Sequence, residues 1–198
     1  MERRHVFGIF ARALLLLPAC LALWYFAAPA FSWIAGTAAT PLLNASGATV
    51  ASMRADREGI HYTMTLREEY TPGRTPRSAT VDVEVKASIY TFGVALFLAL
   101  ALAARESRRW RAIVAGIAVL ALLPAWGVAF DALKQLQAGP ELQPFLGWAP
   151  AAREAVALGY QVGSLLLPTL APIALWVGAS RAAWDGMVRR VMPETAPR

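Results

Sequence analysis

The chain has 198 residues, of which 57% are hydrophobic and only 16% charged, and its formal net charge is +6. A soluble domain usually carries about 25% charged residues, so this composition argues against an ordinary soluble domain and against a disordered chain. One cysteine excludes a disulfide framework within the chain, and with only two histidines there are few ligands for a metal. We therefore predict no metal site and no cofactor.

Four uncharged apolar blocks follow one another along the chain. A bilayer core about 30 Å thick needs about 17–25 apolar residues in a helix, and each block fits that length. The sequence predicts a mainly α, polytopic membrane protein in which four transmembrane helices form a bundle. The predicted parts are residues 1–36 (N-terminus and first helix), 37–87 (extracytoplasmic β-insert), 88–180 (helices at 88–104, 112–130 and 156–180) and 181–198 (cytoplasmic tail).

The first block, residues 13–36, allows two alternatives to an intact span. Residues 1–4 read Met-Glu-Arg-Arg ahead of the block and Ala-Pro-Ala stands at residues 28–30, as in a cleaved signal peptide. Cys20 follows Leu-Pro-Ala, as at the start of a bacterial lipoprotein. Because the apolar run continues well past Cys20, we favour an uncleaved helix in which Cys20 is a small buried side chain. Cleavage and lipidation stay open as alternatives.

Arginines concentrate in segments that fall on one side of a four-span chain: before the first block, between the second and third, and after the fourth. By the positive-inside rule that side is the cytoplasm, so both termini are expected there. The +6 charge then separates into a cationic inner side, suited to anionic membrane lipid, and a nearly neutral outer side. The positive net charge therefore gives no support for a nucleic-acid partner. The expected topology determinants are Arg105, Arg108, Arg109 and Arg111.

The outer insert carries strand signals. Apolar and polar side chains alternate at residues 60–67 and 80–86, and a weaker pattern covers 49–54. We predict a three-stranded antiparallel β-meander between the first two helices, with a turn at residues 56–59 and a loop at 71–76. Its apolar face should lie on the membrane helices, on the proline-rich loop at residues 138–150, or on a partner.

Polar and small side chains in the last two blocks are the candidate functional residues. One helical face of the third block carries Asp131 and Lys134, which are either a polar site or a satisfied ion pair at the membrane edge. Gly159 and Gly163 form a G-x-x-x-G pair that lets another helix approach closely. The candidate intramembrane polar or packing site comprises Pro124, Gly127, Asp131, Lys134, Gly159, Gln161, Gly163, Ser164, Pro168 and Pro172.

Catalytic and transport chemistry has little support. His5 and His61 are expected on opposite sides of the membrane, and Cys20 has no histidine in its span to activate it. Pro168 and Pro172 leave backbone carbonyls free, which can bind an ion in a transporter but more often only kink a helix. We predict that the chain is not an enzyme.

Two segments resemble a known family. They are residues 124–135 (PAWGVAFDALKQ) and 158–172 (LGYQVGSLLLPTLAP). Their order, with four spans and an extracytoplasmic β-insert, resembles the small exosortase H-associated membrane proteins. The resemblance implies a multi-pass protein of the Gram-negative inner membrane, encoded beside an exosortase. An exosortase is a transpeptidase-like membrane enzyme that processes proteins with a C-terminal sorting signal. The resemblance supplies no catalytic residues, and nothing in this chain matches the Cys, Arg and His set of an exosortase.

Two hypotheses follow. The first is a non-catalytic accessory or partner subunit of an exosortase-type protein-sorting system, which acts by helix packing and through its β-insert. In that hypothesis the small-residue and proline faces of the third and fourth helices contact the exosortase. The alternative is a small-molecule or lipid-handling membrane protein, a carrier or an enzyme, which uses the polar residues of those helices.

Overall fold

The computed structural model describes residues 2–68, 77–104 and 110–191, and for residues 2–6 and 180–191 it describes the backbone alone. Within these ranges the chain is mainly helical, with one small sheet. The helices are α1 (Glu2–Ala45), α2 (Ser88–Thr91), α3 (Gly93–Ala103), α4 (Trp110–Leu122), α5 (Pro124–Ala138), α6 (Gln143–Leu146), α7 (Pro150–Gln161) and α8 (Leu167–Val191). The strands are β1 (Ala48–Ala55), β2 (Ile60–Arg67) and β3 (Ser78–Val85), and short 3-10 and π turns cover Pro140–Leu142 and Val162–Leu166.

Three segments of the described chain are long and apolar enough to cross a membrane: Phe7–Ala45, Trp110–Ala138 and Pro150–Ala179. They correspond to the first, third and fourth predicted spans. The second predicted span is the shorter apolar segment Ser88–Ala103. At 1.5 Å per residue it reaches about 24 Å, less than the ~30 Å of a bilayer core. Three of the four predicted spans are therefore supported, and the second predicted span stays a prediction.

The helix α3 lies among its neighbours because its sequence, GVALFLALALA, has no polar face to show to water. Most of its side chains are buried, and it packs against α1, α4 and α8. Arg12 Nη1 donates to the carbonyl oxygen of Ala103 at 3.5 Å, which places the start of α1 beside the end of α3. The helices α1 and α3 are thus antiparallel, and the bundle has an Arg12 end and a sheet end.

Prolines shape the long helices in different ways. The helix α1 continues through Pro18, Pro29 and Pro41 and extends beyond the predicted span on both sides. The third predicted span is instead two helices, because α4 ends just before Pro124, which begins α5. Proline has no N–H to donate to the preceding turn, so a helix interior readily breaks there.

The sheet is antiparallel with the order β1–β2–β3, as the alternation predicts. Ala55 pairs with Ile60 across a tight turn, and Ile60 pairs in turn with Val85. The turn closes because Asp56 Oδ1 accepts the backbone N–H groups of Glu58 and Gly59 at 2.8 and 2.9 Å. The predicted loop at residues 71–76 lies outside the described residues.

The apolar face of the sheet covers one end of α1 and one end of α5. Tyr62, Met64 and Leu66 are almost completely buried against α1 and α5. Full burial of such a side chain stabilises the fold by about 1.5–3 kcal/mol. Of the three surfaces predicted to cover this face, the first two do so: the membrane helices, and the proline-rich loop through Phe145, Leu146 and Trp148.

The β1–β2 hairpin folds back along α1 rather than standing above it. The strand β1 starts three residues after α1 ends and packs against that helix. At the hairpin turn, the guanidinium of Arg57 lies 5.7 Å from the centroid of the Tyr25 ring. The charged turn is therefore level with the middle of α1.

Candidate functional site

The helical face predicted on the third block lies on α5. The four residues of this stripe face different neighbours; they are Pro124, Gly127, Asp131 and Lys134. A side chain at Gly127 would collide with the ring of Tyr90, while Pro124 borders a small gap shared with Gly163 and Pro168. Asp131 and Lys134 are both described, and they form no ion pair with each other. The stripe is thus a packing face that becomes polar towards the sheet end.

Asp131 joins three elements by hydrogen bonds. Its Oδ2 atom accepts the hydroxyl of Tyr90 at 3.0 Å, and its Oδ1 atom accepts Gln135 Nε2 at 3.4 Å. Gln135 Nε2 also donates to the carbonyl oxygen of Glu84 at 2.8 Å. Carboxylates form the stronger kind of protein hydrogen bond. Asp131 therefore ties the start of the second apolar segment and the end of β3 to α5.

Lys134 lies over an aromatic ring instead of beside an acid. Its ammonium is 3.7 Å from the centroid of the Tyr160 ring on α7. This is a cation–π contact at short range. Lys134 itself is exposed, so its charge stays accessible from outside the bundle.

The glycine pair of the fourth block contacts α5 directly. A Cβ atom at Gly163 would lie 2.6 Å from the Cα atom of Gly127, so the two backbones touch. A side chain at Gly159 would collide with the ring of Phe130. Trp126 Nε1 also donates to the Gly159 carbonyl at 3.0 Å. Both glycines thus serve helix packing within the chain.

The proline pair of the fourth block is covered by α3. A Cβ atom at Gly93 would lie 2.9 Å from both the Pro168 carbonyl oxygen and Pro172 Cγ. The π turn Val162–Leu166 precedes Pro168, and the hydroxyl of Ser164 donates to the Tyr160 carbonyl at 2.8 Å. This is the bond to the carbonyl four residues back that a serine hydroxyl forms within a helix.

These contacts change where a partner could bind. Gly127, Gly159 and Gly163 are covered within the chain, and so are Pro168 and Pro172. The small-residue and proline faces expected to contact an exosortase are therefore occupied by the chain's own helices.

A polar cleft lies beside these faces, between α5 and α7 near the sheet end. It has a volume of about 390 Å³, and Lys134 and Gln161 from the predicted set both line it. Sequence reasoning missed Gln137 and Tyr160, which complete its polar lining. Gln137 follows Lys134 by three residues, one helical turn, and this spacing is the signal that could have found it.

A second depression lies in the membrane-spanning part near the Arg12 end. It has a volume of about 220 Å³ and is lined by apolar and aromatic side chains of α1, α3 and α8, among them Phe10, Leu17 and Trp176. Such a groove offers dispersion contacts and no charge. It does not contain any of the predicted site residues.

The other singled-out residues lie apart from both cavities. Cys20 is buried, and His61 Nε2 lies 3.4 Å from Asp56 Oδ2 in the hairpin. Among the described residues, no three His, Cys, Asp or Glu side chains come together as a metal site. Of the topology determinants, Arg111 stacks near Trp110 at 5.9 Å. Arg105, Arg108 and Arg109 lie outside the described residues.

Two side chains of the sheet have perturbed pKa values. The backbone N–H groups of Gly59 and Glu58, with a smaller contribution from His61, lower the pKa of the Asp56 carboxyl. Burial raises the pKa of the Tyr62 hydroxyl. Tyr62 therefore keeps its proton at neutral pH and can donate to a neighbouring carbonyl.

The fold is that of a multi-pass membrane protein in which a small antiparallel sheet sits on the ends of two apolar helices. The chain belongs to the exosortase H-associated membrane protein family, whose family model matches residues 3–183. The family named from residues 124–135 and 158–172 is thus confirmed. A search of curated proteins and a search of solved structures found no match.

Proposed function

We propose that this protein is a non-catalytic accessory subunit of an exosortase-type protein-sorting system in the bacterial inner membrane. The observation that carries the proposal is the family match, which spans residues 3–183 and so includes the apolar helices and the sheet together. The family description names an exosortase and a membrane protein associated with it. The role within the system, and the exosortase as direct partner, are our inference.

The proposed topology places both termini in the cytoplasm and the sheet outside. Arg12 and Arg111 lie towards one end of the bundle, next to the arginine-rich segments of the sequence. The sheet lies at the other end, and its turn carries both acids and a base. Cationic loops stay on the cytoplasmic side, which supports this orientation.

The surface proposed for the exosortase is the membrane face of α1. In the most apolar stretch of α1, only 11% of the residues are buried, whereas 44% are buried in the corresponding stretch of the segment Trp110–Ala138. Leu14, Leu15 and Phe26 are exposed by 71–79% on this helix. Such a face contacts either lipid or another helix, and it is the least covered of the three spanning segments.

Co-purification tests the proposal. The tagged protein, co-expressed with the exosortase in a mild detergent extract, is expected to retain the enzyme. Triple substitution L14A/L15A/F26A should reduce the yield of bound exosortase, because it removes apolar contact area from α1. The control L158A/L165A/L170A changes three side chains that are exposed by 56–65% on α7, the π turn and α8. A wild-type protein that never retains an exosortase would refute the proposal.

The lipid- or small-molecule-handling alternative is distinguished by D131A and Q161A. Loss of the sorting phenotype while the exosortase complex still assembles would favour a functional site over a packing role. Loss of assembly would favour packing. The hydrogen bonds of Asp131 to Tyr90 and Gln135 lead us to expect the second outcome for D131A.

A further inference from the structure

The polar cleft between α5 and α7 has the size and position of a ligand site. Its volume of about 390 Å³ lies within the range usual for small-molecule sites, about 300–1,000 Å³. Its six lining residues are Lys134, Gln137 and Ala138 from α5, and Ala157, Tyr160 and Gln161 from α7. Neither the family match nor the accessory role assigns a ligand to it, and the inference below does not rest on that role.

Lys134 gives the cleft an available cation. No described carboxylate pairs with its ammonium, and the nearest acid on α5, Asp131, is held by Tyr90 and Gln135. The ammonium rests on the face of Tyr160 at 3.7 Å. An anionic oxygen entering the cleft could contact this ammonium and form a charge-assisted hydrogen bond.

Gln137 lines the cleft but does not supply a reachable acceptor, because its Oε1 atom is fully enclosed. Its backbone carbonyl accepts Gln143 Nε2 at 2.8 Å, and Gln143 Oε1 accepts Arg153 Nη2 at 2.6 Å. These bonds hold the rim in place, and Lys134 is the group that can contact an anion.

An exposed apolar surface follows the cleft along the chain. The chain runs from Gln161 towards the Arg12 end through the π turn, where Val162, Leu165 and Leu166 are exposed by 37%, 65% and 48%. These three side chains belong to the segment Pro150–Ala179, which is long and apolar enough to span a membrane. A molecule with a polar head and apolar tails fits this order of surfaces.

We propose that the cleft binds a phospholipid head group. The phosphate pairs with Lys134, and the acyl chains lie along Val162, Leu165 and Leu166. Phosphatidylethanolamine and phosphatidylcholine share this phosphate, so both should bind.

Native mass spectrometry of the full-length protein in detergent tests the proposal. Dioleoyl phosphatidylethanolamine and dioleoyl phosphatidylcholine should bind with similar affinity, because they share the phosphate. The substitution K134M should weaken binding of both lipids by about tenfold, and K134R should restore most of it. K86M, which removes a lysine outside the cleft, should change neither affinity.

Three results would overturn the proposal. The first is equal binding of phosphatidylethanolamine by the wild type and K134M. The second is a loss of binding in K86M as large as that in K134M. The third concerns the source of the phosphate: if soluble phosphoethanolamine binds as tightly as the lipid, the cleft serves a free phosphate compound. Because Lys134 is exposed, K134M should remain folded, with only the small loss of stability that follows from the lost cation–π contact, and thermal unfolding checks this.

Discussion

The hydroxyl of Tyr62 donates to the carbonyl oxygen of Gly36 at 2.8 Å, which joins the central strand of the sheet to α1. Gly36 also permits the approach itself, because a Cβ atom there would lie 3.1 Å from Ile60 Cγ2. A single hydrogen bond and a missing side chain thus set the distance between the sheet and the longest helix.

Substitution of Tyr62 by phenylalanine should lower stability by about 0.5–1.5 kcal/mol, because it removes this buried hydrogen bond. The loss should stay small, since the Gly36 carbonyl keeps a second donor, Thr40 Oγ1, at 3.1 Å. Thermal unfolding in detergent measures the effect. T63V is the control. Thr63 lies on the same strand as Tyr62, and the substitution removes only its exposed hydrogen bond to Asp82 on β3. Equal unfolding temperatures for Y62F and T63V would contradict the prediction.

Substitution of Gly163 by alanine should destabilise the protein by about 1–3 kcal/mol, because the new methyl group overpacks the contact with Gly127. Gly178 is the matched control, since a Cβ atom there meets nothing within 4 Å. G178A should be neutral or slightly stabilising, as alanine is the better helix former. The unfolding temperatures of the two variants provide the comparison, and a G163A protein as stable as G178A would argue against close packing of α5 on the π turn.

Asp131 should matter more for stability than Lys134. D131A leaves the Tyr90 hydroxyl without its carboxylate partner, and the expected cost is about 1–3 kcal/mol. K134M removes an exposed cation–π contact worth about 0.5–1 kcal/mol. Chemical or thermal unfolding of the two variants ranks them. The reverse order would mean that the Tyr90–Asp131 bond contributes little in the membrane.

The hairpin turn should respond to acid through Asp56. Hydrogen bonds from Gly59 and Glu58 lower the pKa of its carboxyl, so the folded turn favours the ionised form. Its contribution is fully present above the unfolded pKa of about 3.9 and is lost as the pH falls through the lower folded value. Amide hydrogen exchange at Gly59, corrected for the intrinsic rate, should show protection that falls over this range.

The variant D56N supplies the control for that titration, because asparagine keeps the acceptor oxygen without a titrating group. Protection at Gly59 in D56N should not change over the same pH range. If wild type and D56N behave alike, the carboxylate does not hold the turn.

The sequence predicted the features that arise from local periodicity. The alternation at residues 60–67 places Tyr62, Met64 and Leu66 on one face, and that face is the buried one. The turn at residues 56–59 is also local, since Asp56 satisfies its own neighbours. The lengths of the uncharged blocks identified the three segments that can span a membrane, and residues 124–135 and 158–172 identified the family.

Features that depend on which elements meet could not be read from the sequence. The i,i+3 spacing of Asp131 and Lys134 suggested an ion pair, but Tyr90 and Tyr160 come from other helices and separate the two charges. The glycine faces were expected to meet a partner, yet Gly127 and Gly163 meet each other. Gln137 and Tyr160 line one cleft only because α7 packs beside α5.

The sheet acts as a brace between two membrane helices. It packs on α1 and α5 at once, so these helices cannot change their crossing angle without shearing the core around Tyr62 and Leu136. The part of α1 next to the sheet is therefore held in a fixed direction before any other protein arrives. A membrane partner that recognises the exposed part of α1 nearer Arg12 meets a preorganised helix, and a tilt imposed on that helix would also move the sheet.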